Sequence, residues 1–372
     1  MSQSVLYPRG GGYVKNWLAA KLVSLGRRRL DAAADLAKIN ERIPASFEQI
    51  GEHYNDSFVF QGAAKTGEMF MSRLGFRSGG RAEPWVLIEM DGRKYVNAEP
   101  RLMLAADDEK TISAGGLIYE YLDADDQWQI SFDGPLICDE EVIPVTVSLR
   151  YVPKSAMYLS SVHMDATSTG KAMAEMPWSR DYFKKLRSEH QVRIEQGASL
   201  YGEIIIGGER REVTFRGFRD HSWGKRNWTF IRRYIWNIFS LNQPLMIDGV
   251  PFEYICFTTV DYSSSFSHLV SGWIAGPSEV RAIAASSNMH ELCTDGVIPG
   301  EYTVVFQPSG GEPFEVKVTR SPVNHSWMMQ DGDFEVNEAY CRISLNGISG
   351  QGMSEFGFSR ASGISRPVFG GR

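Results

Sequence analysis

The sequence lacks nearly all the short motifs that announce common enzyme chemistry. It has no P-loop, and no GxGxxG run sits between a strand and a helix, so neither standard route to nucleotide binding is present. No GxSxG elbow occurs, which removes the lipase-type serine nucleophile, and HExxH and EF-hand spacings are missing too. The four cysteines, Cys138, Cys256, Cys293 and Cys341, lie far apart with no CxxC spacing. They offer no zinc ligand set, and reduced, mostly buried thiols in a cytoplasmic protein are the expectation. The opening MSQSVLYPRGGG has no charged-then-apolar leader, and no apolar run approaches the ~20 residues of a bilayer-crossing helix. A net charge of −6 gives no electrostatic footprint for nucleic acid. One dense basic cluster, Arg27-Arg28-Arg29, lies within Val14 to Lys38, where Leu18, Leu22, Leu25, Leu30 and Leu36 among alanines predict a helix. Such a helix suits a solvated face and also allows peripheral membrane contact.

What is abundant points to β-structure. Aromatic residues reach 12%, with 36 glycines; together they suit sheets, tight turns and a greasy interior better than a helical bundle. Short alternating or apolar runs recur at Ser57–Phe60, Gly67–Leu74, Trp85–Met90, Trp128–Phe132 and Val142–Tyr151, with Asp91-Gly92 as a hairpin turn. Thr167-Ser168-Thr169-Gly170 reads as a flexible patch. Pro177-Trp178-Ser179 then opens a helix through His190, with Ser179 as its cap. Strand rhythm resumes from Ser199 to Phe215 about Gly207-Gly208 and continues to Phe358. The pattern predicts two antiparallel β-barrels.

The densest chemistry is Arg219-Asp220-His221-Ser222-Trp223-Gly224-Lys225-Arg226-Asn227-Trp228: an acid, an imidazole and two indoles among cations. An acid, a base and an apolar wall at a strand end are the parts of a proton-transfer site; a buried ion pair and a Trp plug would use the same residues. On a strand, Asp220 and Ser222 face one way and His221 and Trp223 the other. Asp220 then pairs with Arg219 or Arg226, if His221 and Trp223 line the cavity. Between Asn227 and Leu241 both faces are apolar, with Trp228, Tyr234 and Trp236 on one of them. That is either plain core or a wall able to shelter a cation. Glu355, among glycines, is a further partner for Arg219 or Arg226. His325-Ser326-Trp327 repeats a tripeptide and carries little weight.

With Asn55-Asp56-Ser57, Ile194-Glu195-Gln196-Gly197 and Gly202-Glu203-Ile204, the Arg219–Gly224 element followed by Trp228 resembles the tandem-lipocalin superfamily. That superfamily holds carotenoid 1,2-hydratase, kievitone hydratase, AttH-like proteins and lipocalin-like Diels–Alderases; within it the chain resembles a bacterial branch of unknown function. The resemblance implies an all-β chain of two consecutive lipocalin-like antiparallel barrels, with a hydrophobic cavity and no metal or other cofactor. Its expected divisions are a helical extension at 1–50, a first barrel at 51–176, a helical connector at 177–193, and a second barrel at 194–372 carrying the Arg219–Gly224 element. It also implies catalytic roles for His221 and Trp223, with a downstream acid for which Asp248 is the candidate and Asp220 the fallback. Trp228, Tyr234 and Trp236 would line the pocket.

The function expected is a cofactor-independent lyase or hydratase acting on an isoprenoid-type alkene. An acid kept protonated by burial would protonate the double bond, and water activated by His221 would add. Cyclisation, isomerisation or a pericyclic reaction in the same pocket is one alternative; a non-catalytic lipid or terpenoid carrier is the other. The partner in every case is a hydrophobic small molecule, and the oligomeric state is open.

Overall fold

The computed structural model describes residues 6–7, 11–31, 53–97, 104–105, 112–122, 126–188, 191–226, 228, 231–262, 265–266, 268–287, 289–293, 297–329, 334–359 and 368–369. The chain forms two compact units. One comprises Asp35–Met157 with Gln191–Arg226, and the other Met1–Ala34, Tyr158–His190 and Asn227–Arg372.

The first unit is a closed antiparallel barrel of 8 strands. They are β1 (Tyr54–Ala63), β2 (Met69–Arg77), β3 (Arg81–Met90), β4 (Arg93–Val96), β5 (Gln127–Cys138), β6 (Glu141–Pro153), β7 (Gln191–Ile206) and β8 (Glu209–Lys225). Each strand pairs with the next in sequence, and β8 returns to pair with β1. Alternate residues point inward, as the pleat requires. Phe58, Phe60, Leu74, Val86, Ile130, Leu149, Leu200 and Phe215 share one buried core.

The second unit holds another closed ring: β9 (Ile231–Ile247), β10 (Val250–Tyr262), β11 (Leu269–Ala275), β12 (Val280–Ser287), β13 (Glu301–Pro308), β14 (Phe314–Arg320), β15 (Phe334–Leu345) and β16 (Ile348–Ser359). Here too neighbours in sequence pair, and β16 closes on β9. In β14, Val316, Val318 and Arg320 are buried while Glu315, Lys317 and Thr319 are exposed, a period-two pattern legible in the sequence. Asp91-Gly92 and Asp248-Gly249 turn two hairpins, each with positive φ at both residues, the geometry of a type I′ turn.

Two expectations are corrected. Residues 191–225 do not begin the second barrel; as β7 and β8 they complete the first, so the Arg219–Gly224 element belongs there. The helices interrupt the first barrel's meander rather than ending it. The Thr167–Gly170 stretch is also no flexible patch. It lies in a helix, α2 (Ala166–Glu175), which follows α1 (Tyr13–Asp31) and precedes α3 (Arg180–Ser188). Asp165 caps α2 by accepting from the Ser168 N–H at 2.7 Å. Gly170 lies against α1 so closely that a Cβ would sit 2.5 Å from the Ala20 nitrogen. Ser179 caps α3 as expected, its Oγ accepting from the Tyr182 N–H at 3.0 Å. The expected helix from Val14 to Lys38 is described as far as Asp31, and its remainder lies outside the described residues. Among the described residues no helix is long and apolar enough to cross a membrane.

The outer wall of the first barrel carries buried charge. Glu83 receives Arg73 at 3.1 Å and Arg77 at 2.6 Å, all three nearly inaccessible. Burial alone would push the Glu83 carboxyl up, but Arg77 and then Arg73 more than offset this and hold it below the ordinary range. Arg226 is pushed down to about 9, by burial first and by neighbouring Arg193 second. Removing one side of a buried pair typically costs about 3–5 kcal/mol, because a charge is stranded. Glu83→Gln should therefore lose stability of that order in denaturant unfolding at neutral pH. A carboxyl with a lowered folded pKa contributes fully above its unfolded value and loses that contribution as pH falls through the folded one. The gap between wild type and Glu83→Gln should accordingly close on acidification. A gap that is absent at neutral pH, or widens in acid, would contradict the assignment.

Candidate active site in the first barrel

Strand β8 pairs with β1 so that His221 lies opposite Phe58, Trp223 opposite Asp56 and Arg219 opposite Phe60. All six share the face that carries Phe58 and Phe60 into the core. The His221 Nε2 is 2.8 Å from Asp56 Oδ1, and both residues are essentially inaccessible, at 1% and 0%. Phe58 stacks on the imidazole at 3.8 Å and 14°, and the Trp223 ring is 4.6 Å away. A carboxyl group and an imidazole hydrogen-bonded inside an aromatic lining interact with little screening from solvent.

Further along the same wall, the buried Arg219 guanidinium lies 5.6 Å from the Trp128 ring and 5.8 Å from that of Tyr151. Its Nη2 reaches Asp126 Oδ2 at 3.1 Å, so the cation is both paired and packed on aromatic faces. Tyr151 donates to the Gln196 carbonyl at 3.2 Å. Trp128 packs near Phe58, at 6.2 Å between centroids. It is fully buried on β5, yet its Nε1–H meets no acceptor among the described residues. A buried indole donor is normally satisfied, so this one is available to an oxygen brought in from outside.

The sequence candidates divide cleanly. His221, Trp223 and Arg219 face the interior of the first barrel. Asp220 faces the other way and takes Arg193 Nε at 3.0 Å, not Arg219 or Arg226. Arg226 donates from Nε to Gln191 Oε1 at 2.9 Å and from Nη2 to Ser222 Oγ at 3.1 Å. Asp248 is unsuited to be a buried acid. It sits in the β9–β10 turn with its side chain 75% exposed, bonded to Arg281 at 2.8 Å. Glu355 accepts the Tyr234 hydroxyl on β9. Trp228, Tyr234 and Trp236 belong to the second unit. Trp228 packs on Phe334 at 4.9 Å; Tyr234 and Trp236 occupy the face of β9 opposite the core residues Ile235 and Phe239, and the Trp236 Nε1 is 3.0 Å from Cys256 Sγ. They do not line the interior of their own barrel.

Asp56, Trp128 and Asp126 are the residues that sequence reasoning passed over as site components. Asp56 precedes Phe58 and Phe60 at the same parity, a signal that it points inward, but its pairing with His221 arises only from the β1–β8 contact.

With this geometry in place, comparison with known proteins fixes the lineage. A family model described as a domain of unknown function, DUF7064, matches residues 46–359. The chain belongs to that family. No curated protein matches it by sequence. Among solved structures, an AttH-designated protein from Nitrosomonas europaea aligns with a TM-score of 0.50 at 11% identity, over 82% of this chain and 92% of that one. The fold of that protein is therefore shared. Kievitone hydratase from Nectria haematococca aligns with a TM-score of 0.47 at 12% identity, over 86% and 94% of the two chains. CghA bound to Sch210972 gives 0.45 at 10%, over 82% and 88%.

A hydrogen bond to a charged group contributes about 1.5–3 kcal/mol. A double-mutant cycle of Asp56→Asn and His221→Gln, read by denaturant unfolding, should give a coupling energy in that range. Additive single-mutant losses would show that the two side chains do not hold one another.

Proposed function

We propose that the protein is a cofactor-independent lyase or hydratase that takes a hydrophobic, isoprenoid-type alkene into the first barrel. The observation that carries this reading is the His221–Asp56 pair, with Phe58 and Trp223 against the imidazole and Trp128 packed near Phe58. Asp56 replaces Asp248 as the acid. In the resting pair one proton lies between carboxylate and imidazole. Its transfer to one alkene carbon leaves a cation at the other, facing indole and phenyl rings that attract positive charge. Water adds there and returns a proton to the pair, so the sum is alkene plus water to alcohol, and the reverse is dehydration. The Arg219 guanidinium is neutralised by Asp126 and lies over Trp128 and Tyr151, where it serves to orient an oxygenated part of the substrate. Trp128 Nε1–H offers a second contact for such an oxygen.

The Arg219 and Trp128 donors also favour one alternative, a pericyclase that folds a polyene and polarises its carbonyl without any proton transfer to carbon. Losing a positioned acid–base group usually costs about 10²–10⁴ in rate. Turnover of a prenylated phenol or similar alkene should fall by that much in both His221→Ala and Asp56→Asn, with the fold retained by circular dichroism. In heavy-oxygen water the alcohol product should carry the label. Unlabelled, cyclised product with both variants still active would support the pericyclase. Tight binding without product in wild type would support a carrier.

A further inference from the structure

Arg320 ends β14 on the inner wall of the second barrel, buried at 7% exposure. Its Nε donates to Ser354 Oγ at 2.8 Å, and its guanidinium lies 5.1 Å from the Phe356 ring. Ser354 and Phe356 stand on β16 at the parity that faces the core, opposite Asn237 and Ile235 of β9. Among the described residues no carboxylate pairs with Arg320, and its Nη2 is buried with no hydrogen-bond partner. Arg219 of the first barrel makes the contrast plain: also buried over aromatic rings, it has Asp126. A buried charge without a counter-charge is costly, and a buried donor without an acceptor adds to that cost. Both penalties vanish if a ligand brings one negative oxygen.

We propose that the second barrel binds an apolar molecule through a terminal carboxylate, with Arg320 as the anchor. The Nη2 that is buried without an acceptor suits a single carboxylate oxygen. A phosphate dianion calls for more positive charge, and Arg233, at the same parity on β9, already pairs with Asp261 at 3.6 Å. Ile235, Phe356 and Phe358 carry apolar surface along β9 and β16 from the guanidinium, beside the buried polar side chains Asn237 and Asn337 and, opposite Phe358, Glu335. The anion would stay at the arginine where β14 stops, and the hydrocarbon would run along that wall. The site is distinct from the His221–Asp56 pair, which belongs to the first barrel.

The test uses the full chain, with laurate, dodecanol and inorganic phosphate as probes in calorimetric titration and thermal melts. Laurate should bind at least about tenfold more tightly than dodecanol, the ratio expected for one charge-assisted hydrogen bond, and phosphate should leave the melt unchanged. Arg320→Met should lose this preference and melt no lower than wild type in the absence of ligand, because it removes an uncompensated charge. Arg320→Lys keeps the charge and should retain part of the preference, which covers the case in which Arg320→Met fails to fold. Arg93→Gln, which removes an exposed pair with Asp139 on the first barrel, should bind laurate as wild type does. The proposal is overturned if wild type does not distinguish laurate from dodecanol, if phosphate competes with laurate, or if Arg320→Met keeps the preference for laurate.

Discussion

The ladder between β8 and β1, running from Arg216 opposite Ala63 to Lys225 opposite Tyr54, determines everything else about the first barrel. It joins the two ends of a meander that the helices α2 and α3 separate in sequence. Because side chains alternate with a period of two, a slip of one residue would exchange the walls. His221 and Arg219 would leave the interior, and Asp220 would enter it without Arg193. Close approach of the strands helps to fix the register. A Cβ at Gly217 would lie 1.8 Å from the Gln61 carbonyl, and one at Gly62 only 2.5 Å from the Phe215 Cβ, so glycine at both positions lets the strands meet.

That register sorts buried charge onto two walls of one strand. Outward, Asp220 holds Arg193 while Arg226 bonds Ser222 and Gln191; this network fixes the strand without facing the core. Inward, His221 has Asp56 and Arg219 has Asp126. Polar groups this deep are retained only when each has a partner, so the inner wall pairs its cationic groups with carboxylates. The unclaimed Trp128 donor marks where the pairing is incomplete. Function is expected at such a place, since a protein fully satisfied within itself has nothing to offer a substrate.

The local parts of this arrangement were legible in the sequence. Alternation in β8 separated His221 and Trp223 from Asp220 and Ser222, and glycine-bearing turns marked the hairpins. The Ser179 cap also announced its helix. What could not be read was pairing between distant strands. Contiguity suggested that residues after the helices start a new barrel, whereas β7 and β8 close the old one. The same limit hid Asp56, which meets His221 across 165 positions of chain. It also left Asp248 standing as an acid, because nothing local shows that a carboxylate beside a turn glycine faces solvent. In β9 the doubly apolar pattern was right about burial on both faces. It could not say that Ile235 and Phe239 take the interior while Tyr234 and Trp236 take the outer wall.

The central claim is that the His221 imidazole and the Asp56 carboxylate share a proton inside the first barrel and meet the substrate there. Proton NMR of the imidazole N–H region tests it directly. Wild type should show a strongly downfield resonance from the bonded His221 ring, protected from solvent exchange and absent in Asp56→Asn, and it should shift when a prenylated phenol binds. A downfield resonance that survives Asp56→Asn, or one indifferent to a ligand that demonstrably binds, would contradict the account.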